Sequence, residues 1–363
     1  MAERIVLAVG TRKGLFVLEG PARGKKLALR GPFFAGQGVN AALIDRRGAP
    51  RVWAAPSSPW FGTSLQLSTD LGKRFKPSGG VPAFAAGDGR TLKNIWSLAA
   101  GKGKKELWVG AEPAALFHSD DGGKSFEPVG ALNDRPEAKE WQPGFGGLIL
   151  HTLLPLDGAF HVGISTGGHY CSRDRAATFA PENQGIDAHF QPDRNPLFGQ
   201  CVHKIAVHPS RPQRLYLQNP GGAEDRQDLS VLRSDDGGRS WQSIAKGLPT
   251  DFGFPIVVHP HRPDTILVVP LATATRTCPD AKPTVWRSDD GGDSWQAKRR
   301  GLPKKEAWFT VLRDAMDADD ARDASLWFGT TTGQLWRGRD GGEEFEAVAA
   351  NLPPILCVKA AIV

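Results

Sequence analysis

Several residue types and patterns that mark common protein classes are scarce or missing in this chain. Only 4 of its 363 residues are cysteines, and none of them has the C-x-x-C spacing of a zinc or dithiol site. No run of about 18 apolar residues predicts a membrane-spanning helix. The chain also does not open with the apolar core of a signal peptide. We therefore expect a reduced, cytoplasmic protein with no cofactor, no bound metal and no membrane partner.

Helical periodicity and common catalytic motifs are missing as well. The stretch from 314 to 324, D-A-M-D-A-D-D-A-R-D-A, is acidic and poor in large apolar residues, which predicts a solvated loop or a single turn. Phosphate-binding loops, H-E-x-x-H and G-x-S-x-G do not occur. The sequence thus gives no support for P-loop, zinc-protease or serine-hydrolase chemistry.

Positive charge is present in modest excess but is not organised for nucleic acid. The formal net charge of +6 comes mainly from clusters at 102–105, 298–300 and 304–305. These clusters lie in predicted loops and are not interleaved with aromatic residues, as a nucleic-acid surface would be. We expect solvated loop tips and no nucleic-acid partner.

The chain does contain one motif that returns six times, which we call the box. It reads Ser, any residue, Asp, any residue, Gly, two further residues and an aromatic. Four copies begin at Ser68, Ser119, Ser234 and Ser288, and two degraded copies begin at Ser172 and Gly338. The central acids are Asp70, Asp121, Asp174, Asp236, Asp290 and Asp340, which lie 51, 53, 62, 54 and 50 residues apart. Such a period predicts stacked supersecondary units.

The residue types in the box are those of a hairpin turn. Asp and Ser side chains accept hydrogen bonds from backbone N–H groups a few residues on, and Gly supplies a positive φ. One similar acid in every unit is not how a single active site is built. We therefore interpret the box acid as a turn builder and not as a catalytic or metal-binding group.

Each repeat also contains four short strand-like segments. The clearest repeat has them at 203–208, 215–218, 230–233 and 241–245, separated by Pro, Gly and Ser. Four antiparallel strands in about 50 residues are typical of a propeller blade. The first blade lacks an initial strand before Ile5, whereas an unassigned strand remains at 355–363.

These observations predict an all-β, seven-bladed β-propeller of four-stranded antiparallel blades. The C-terminal strand is expected to pair into the N-terminal blade and close the ring, which leaves no open sheet edge. We expect one domain, 1–363, with blades at 1–38 plus 354–363, 39–80, 93–132, 147–185, 202–248, 254–302 and 308–353.

The box series, together with G-T-R-K-G-L-F near the start and C-V-H-K-I-A-V-H-P from Cys201, resembles the Asp-box, or BNR, repeat proteins. That group includes sialidases, sortilin-type receptors, some glucan hydrolases and photosystem assembly propellers. The chain looks most like bacterial members labelled sialidase-like or glycosyl-hydrolase-like. The resemblance implies the propeller fold but no single activity.

A true sialidase is disfavoured by the same comparison. Sialidases share an arginine cluster that binds the substrate carboxylate, usually with an R-I-P segment near the first blade. They also share a tyrosine paired with a glutamate as nucleophile and base. Here the early segment is R-I-V from Arg4, and the only tyrosines, Tyr170 and Tyr216, lie in or beside predicted strands.

The candidate site lies at the channel mouth on the face opposite the boxes, which we call the loop face. The long loops expected there are 76–93, 128–147, 180–200, 220–229 and 270–283. Equivalent starts of innermost strands are Asn40, Asn94, His151, His203, Phe254 and Trp308. Neighbouring loops add Arg12, Lys13, Glu112, Ser165, Gln218, Asn219 and Thr330.

Three of these residues are candidates for chemistry. Glu112 is the expected proton-transfer group, with His151 and His203 as acid, base or orienting partners. The alternatives are that the histidines hydrogen-bond across blade interfaces or bind a metal. Trp141, and Phe252 with Phe254, are candidates for an aromatic wall around the ligand, or for wedges between loop and blade.

The sequence therefore predicts a propeller that binds a small polar ligand or a protein partner on its loop face. The alternative is a hydrolase or lyase acting on a small polar or carbohydrate-like substrate. The residues alone do not decide whether a reaction is catalysed.

Overall fold

A computed structural model describes residues 3–24, 26–221 and 228–363 of the chain. These residues form seven β-sheets in which sequential strands pair antiparallel. The innermost strands contact one another in turn around a central channel. The predicted seven-bladed β-propeller with four-stranded blades is confirmed. Part of the predicted 220–229 loop lies outside the described residues.

The first three blades use the N-terminal part of the chain. Blade 1 takes β1 (Arg4–Thr11), β2 (Gly14–Pro21) and β3 (Ala28–Phe33). Blade 2 contains β4 (Gly38–Asp45), β5 (Arg51–Ser58), the short β6 (Gly62–Thr63), β7 (Gln66–Ser68) and β8 (Lys76–Pro77). Blade 3 contains β9 (Asn94–Ala100), β10 (Leu107–Glu112), β11 (Leu116–Ser119) and β12 (Glu127–Pro128).

Blades 4 to 7 follow in order. Blade 4 has β13 (Leu150–Pro155), β14 (Phe160–Ile164), β15 (Gly168–Ser172) and β16 (Ala180–Pro181). Blade 5 has β17 (Lys204–Val207), β18 (Leu215–Gln218), β19 (Val231–Ser234) and β20 (Gln242–Ser243). Blade 6 has β21 (Gly253–His259), β22 (Arg262–Pro270), β23 (Val285–Ser288) and β24 (Gln296–Lys298). Blade 7 has β25 (Met316–Ala318), β26 (Leu326–Gly329), β27 (Leu335–Gly338) and β28 (Glu344–Ala349).

Among the described residues, helix occurs only as single turns between strands. These are α1 (Gly130–Asn133), α2 (Arg339–Gly342) and two 3-10 turns, Pro136–Lys139 and Pro279–Ala281. Within the described part of the chain, no helix has the length and apolar character needed to cross a membrane.

The last strand, β29 (Ile355–Ile362), closes the ring. It pairs antiparallel with β1, so that Ile5 lies opposite Ile362 and Val9 opposite Val358. The sheet order β29-β1-β2-β3 makes β29 the innermost strand of blade 1. The predicted closure by the C-terminal segment is therefore confirmed.

The box acids satisfy backbone donors, as the turn interpretation requires. In blade 5 the Asp236 carboxylate accepts hydrogen bonds from the Ser240 N–H (3.0 Å) and from the Ser240 and Ser234 hydroxyls (2.6 and 2.7 Å). The Gly238 N–H donates to Ser234 Oγ (2.8 Å), and Gly238 has a φ of 88°. Burial opposes ionisation of Asp236, but these hydrogen bonds outweigh it and hold its pKa at about 2.

The aromatic residue that ends each box packs against the preceding blade. The Trp241 indole N–H of blade 5 donates to Glu182 O (3.2 Å), beyond the last strand of blade 4. Trp295 of blade 6 likewise donates to Ile244 O (2.7 Å) in blade 5. The box thus builds a turn and also fastens one blade to the next.

The acidic stretch at 314–324 differs from its prediction. It was expected to be a solvated loop, but it contains β25, the innermost strand of blade 7, and Asp314 and Asp319 are buried. Asp319 accepts a hydrogen bond from the Trp327 indole N–H (2.7 Å). Trp308, the expected start of this strand, is exposed in the preceding connection. The prediction was wrong because these acids are paired by other parts of the chain, which composition alone does not reveal.

Candidate functional site

A cleft of about 530 Å³ opens on the loop face, beside the channel. Its walls come from connections between blades 3 to 7 and from the β14–β15, β18–β19 and β22–β23 loops. Blade connections and second-to-third-strand loops lie at the end of each sheet away from the box. The cleft therefore occupies the face that the sequence predicted for ligand binding.

Two arginines contribute their guanidinium groups to this cleft. Arg313, in the connection before β25, lies with Cζ 5.1 Å from the centre of the Phe254 ring. Arg276, in the β22–β23 loop, lies 5.5 Å from the Phe145 ring and 5.6 Å from the Phe252 ring. Cation–π contact of this kind holds an arginine in place without neutralising it. We call this site the arginine cleft.

Neither arginine has an acidic partner among the described residues. None of the described residues that line the cleft is Asp or Glu. The Nε of Arg313 is buried and, within the described part of the chain, finds no hydrogen-bond acceptor. Burial lowers the pKa of Arg313, but an arginine starts so high that it stays charged at neutral pH. The cleft thus presents two cations with unused donors.

His203 forms part of the cleft wall in a neutral form. Its Nδ1–H donates to Gly253 O at 2.6 Å, and its ring packs on Phe252 (5.3 Å) and Phe254 (4.7 Å). Burial, assisted by the nearby Arg313 charge, holds the pKa of His203 well below the usual histidine range. Its side chain is only 4% exposed. Because a carbonyl oxygen can only accept, the proton is on Nδ1 and Nε2 carries a lone pair.

His151 belongs to a different cavity. It lines a void of about 60 Å³ in the channel, next to Asp314 and Lys204. Its Nε2–H donates to Val202 O (2.8 Å), and its Nδ1 accepts from the Thr152 hydroxyl (3.0 Å). Burial lowers the pKa of His151 to about 3. His151 and His203 therefore each bond to the backbone that leads into the following blade.

Glu112 lies at the end of β10 and lines neither cavity. Its Oε2 accepts from the Trp96 indole N–H (2.8 Å) and from Asn94 Nδ2 (3.1 Å). Asn94 Oδ1 in turn accepts from Asn40 Nδ2 (3.4 Å). Among the predicted residues, Asn40, Asn94 and Glu112 are thus brought together as one chain of hydrogen bonds.

The expectation that Glu112, His151 and His203 line one pocket is not met. Glu112 is hydrogen-bonded to Asn94, His151 lines the channel void, and His203 lines the arginine cleft. The reason is that equivalent strand starts point into successive blade interfaces, where backbone carbonyls take up the imidazole donors. Their catalytic roles remain a prediction from sequence, without a shared cavity to support them.

Two predicted ligand-binding residues, Ser165 and Phe254, do line the arginine cleft. Trp141 does not, because it is 6% exposed and donates its indole N–H to the Tyr170 hydroxyl (3.1 Å). It is therefore a wedge between a loop and blade 4. Tyr170 is buried, and burial raises its pKa, so it cannot serve as a free nucleophile.

The remaining predicted residues lie near the channel mouth but outside the cleft. Gln218 and Asn219 are buried at the end of β18, where Gln218 Nε2 donates to Ser230 O (2.8 Å). Arg12 is exposed in the β1–β2 turn, and its N–H donates to Pro354 O (2.9 Å) beside the closing strand. These contacts give Gln218 and Arg12 structural roles, whereas both side-chain amide atoms of Asn219 are buried without a hydrogen-bond partner among the described residues.

Sequence reasoning missed both arginines of the cleft. Arg313 was passed over because the innermost strand of blade 7 was placed at Trp308 instead of at Met316. Arg276 lies in a loop that was correctly placed on the loop face, but nothing in its neighbourhood sets it apart in sequence. No local pattern marks either residue as a site, since Arg313 is directly followed by Asp314 and Arg276 lies four residues before Asp280.

The thiol in the cleft is not activated. Cys201 lines the wall beside His203, but burial raises the pKa of its thiol, with Arg313 opposing this only in part. His203 also uses its only ring proton on Gly253. A cysteine–histidine nucleophile pair therefore lacks support. In the part of the chain that the structure describes, no three His, Cys, Asp or Glu residues are arranged to hold a metal.

Comparison with known proteins supports the fold and leaves the activity open. No family model matches the chain. An oligoxyloglucan-reducing end-specific xyloglucanase from Emericella nidulans is 24% identical over 307 residues, which are 74% of this chain and 35% of that enzyme. The chain thus spans about a third of the length of this curated relative.

Solved structures place the chain among distant propellers. YCF48 bound to D1 peptide has a TM-score of 0.54 at 14% identity and covers 85% of this chain and 81% of its own. An ancestral GH74 enzyme has a TM-score of 0.56 at 15% identity, with 83% of this chain and 36% of its own covered. YCF48 from Cyanidioschyzon merolae gives 0.53 at 13% identity, over 86% of this chain and 84% of its own. These likenesses show the fold alone.

Proposed function

We propose that this protein binds a small, carboxylate-bearing ligand in the arginine cleft. The observation that carries the proposal is the pair Arg276 and Arg313, which face a cleft without any acid among its described lining residues. A guanidinium presents a rigid fork of donors that matches a carboxylate. An incoming anion would therefore satisfy donors that the described residues leave unused.

The aromatic rings of the cleft define the rest of the ligand. Phe252 and Phe254 form the inner wall, while Phe145 and Phe190 stand at the rim. Phe145 is 99% exposed, which is an unusual environment for a large apolar side chain unless a ligand covers it. A flat apolar body would stack on these rings, and the volume is in the range of small-molecule sites.

A hydrolase is the second candidate, and the similarity to the xyloglucanase favours it. Glycoside hydrolysis ordinarily requires two carboxyl groups that flank the scissile bond. The described lining of the arginine cleft offers none, and Asp314 in the channel void is held by Lys204 and Lys359. Binding without hydrolysis therefore accounts better for these residues.

The test is titration calorimetry with benzoate and cyclohexanecarboxylate, matched against the uncharged benzamide. We expect the two carboxylates to bind and benzamide to bind at least about tenfold more weakly, since it lacks the charge that the arginines recognise. Arg313→Gln should abolish the preference for the carboxylate. Arg74→Gln is the control, because Arg74 lies in a box turn on the opposite face.

Two outcomes would overturn the proposal. One is equal binding of benzoate and benzamide by the unaltered protein. The other is release of reducing sugar from xyloglucan oligosaccharides by the protein, with that activity insensitive to Arg313→Gln, which would instead establish the hydrolase.

A further inference from the structure

One polar atom in the arginine cleft has no role in the proposed carboxylate site. It is Nε2 of His203, the ring nitrogen left over once Nδ1–H donates to Gly253 O. Among the described residues this nitrogen has no hydrogen-bond partner. The tautomer is fixed by the fold, because a backbone carbonyl of β21 can only accept. The cleft therefore contains one pre-oriented acceptor among several donors.

The position of this acceptor relates it to the arginines. The His203 ring and the Arg313 guanidinium both contact the Phe254 ring: the His203 and Phe254 centroids are 4.7 Å apart, and Arg313 Cζ lies 5.1 Å from the Phe254 centroid. The guanidinium and the imidazole thus border the same ring, and a ligand ring in the cleft beside Phe254 would present one substituent to each of them. Leaving a buried acceptor unpaired under such a ligand costs binding energy.

We infer that the ligand is an aromatic hydroxycarboxylate, whose hydroxyl group donates to Nε2 of His203 while its carboxylate meets Arg276 and Arg313. This inference rests on the proposed function and extends it from the charge of the ligand to a second functional group. An ammonium group could also donate to Nε2, but a cation would be repelled by two arginines that have no acidic partner among the described residues. A neutral hydroxyl donor is therefore the chemistry that fits.

The probes are benzoate, 3-hydroxybenzoate, 4-hydroxybenzoate and the matching fluorobenzoates, measured by titration calorimetry at pH 7.5. Fluorine is close to a hydroxyl in size but cannot donate a hydrogen bond. We expect one hydroxybenzoate isomer to bind about five- to twentyfold more tightly than its fluoro analogue, as the loss of one partner of a buried acceptor implies. This comparison needs only the unaltered protein.

The variant His203→Asn tests whether the imidazole causes the preference for the hydroxybenzoate over its fluoro analogue. An asparagine amide can still donate to Gly253 O, but it removes the acceptor at the Nε2 position. The ratio of hydroxy to fluoro affinities should fall to near one in this variant, whereas Arg313→Gln should weaken both probes together. Thermal unfolding of each variant checks that it is folded.

The outcomes separate the two proposals. If all the benzoates bind with equal affinity, the hydroxyl inference is wrong and the carboxylate site stands. A hydroxyl preference that persists in His203→Asn would also overturn it, because another group would be the acceptor. If none of the benzoates binds, the proposed function itself fails.

Discussion

Single side chains in this protein act mainly by satisfying backbone groups, and the box acids are the clearest case. Asp236 holds a tight turn by accepting three hydrogen bonds from Ser234 and Ser240. In the degraded copy of blade 4, Asp174 does the same for Thr178, although Ala176 there must adopt a φ of 67° in place of glycine. The acid therefore preserves the turn even where the glycine is lost.

We expect Asp236→Ala to lower the free energy of unfolding by about 1–3 kcal/mol, because it removes several turn hydrogen bonds at once. Urea denaturation measures this change. Asp120→Ala is the matched control, since Asp120 is an exposed acid at the second position of the blade 3 box. Ligand binding in the arginine cleft should survive in folded Asp236→Ala. A variant of unchanged stability would show that the acid has another role.

The sequence predicted the role of a single residue only where that role depends on its near neighbours in the chain. The box acid bonds within four residues of itself, so its role follows from its neighbours in the chain. The role of Arg313 depends on which side chains from several loop-face connections reach the cleft, and none of the described ones is acidic; no local pattern encodes this. His151 and His203 were predicted at the channel mouth from the blade alignment, but their bonds to Val202 and Gly253 depend on blade-to-blade geometry, which that alignment does not contain.

At the scale of elements, the closing strand was predictable because blade 1 had one strand too few and the chain end had one too many. The innermost strand of blade 7 was misplaced because β25 is only three residues long and is flanked by acids. Those acids are satisfied by Trp327, Lys204 and Lys359, which come from other elements. The repeat period and strand pattern of the sequence therefore located the long apolar strands but not the short, polar β25.

The closing strand β29 can be removed by truncating the C-terminus, without changing any other strand. A chain ending at residue 354 would leave the β1 edge unpaired over Ile5 to Thr11 and would uncover Gly10, against which Cys357 packs. We expect this truncated protein to aggregate, since an open apolar edge pairs with other chains. Size-exclusion chromatography with light scattering measures this outcome.

The control for that truncation is a chain ending at Ile362, which keeps β29 and loses only Val363. It should remain as soluble as the full chain. A monomeric, stable protein ending at residue 354 would show that the ring does not need its last strand.

Across the whole molecule, the blades are tied together at the channel by a buried ion cluster. Asp314, before β25 of blade 7, pairs with Lys204 of blade 5 and with Lys359 of the closing strand. Burial opposes ionisation of Asp314, but the two lysines outweigh it and hold its pKa at about 2. One carboxylate thus links three blades on the inner surface of the ring, and it follows Arg313 of the arginine cleft directly in the chain.

Asp314→Asn should therefore lower the free energy of unfolding by about 3–5 kcal/mol, because it removes the ion-pair partner of two partly buried ammonium groups. Adding Lys204→Met should recover part of that loss, since one of the stranded charges is then gone. Urea denaturation of the single and double variants measures both effects. If Asp314→Asn costs less than about 1 kcal/mol, or the second change brings no recovery, the cluster does not hold the ring together and hydrophobic packing between blades alone must do so.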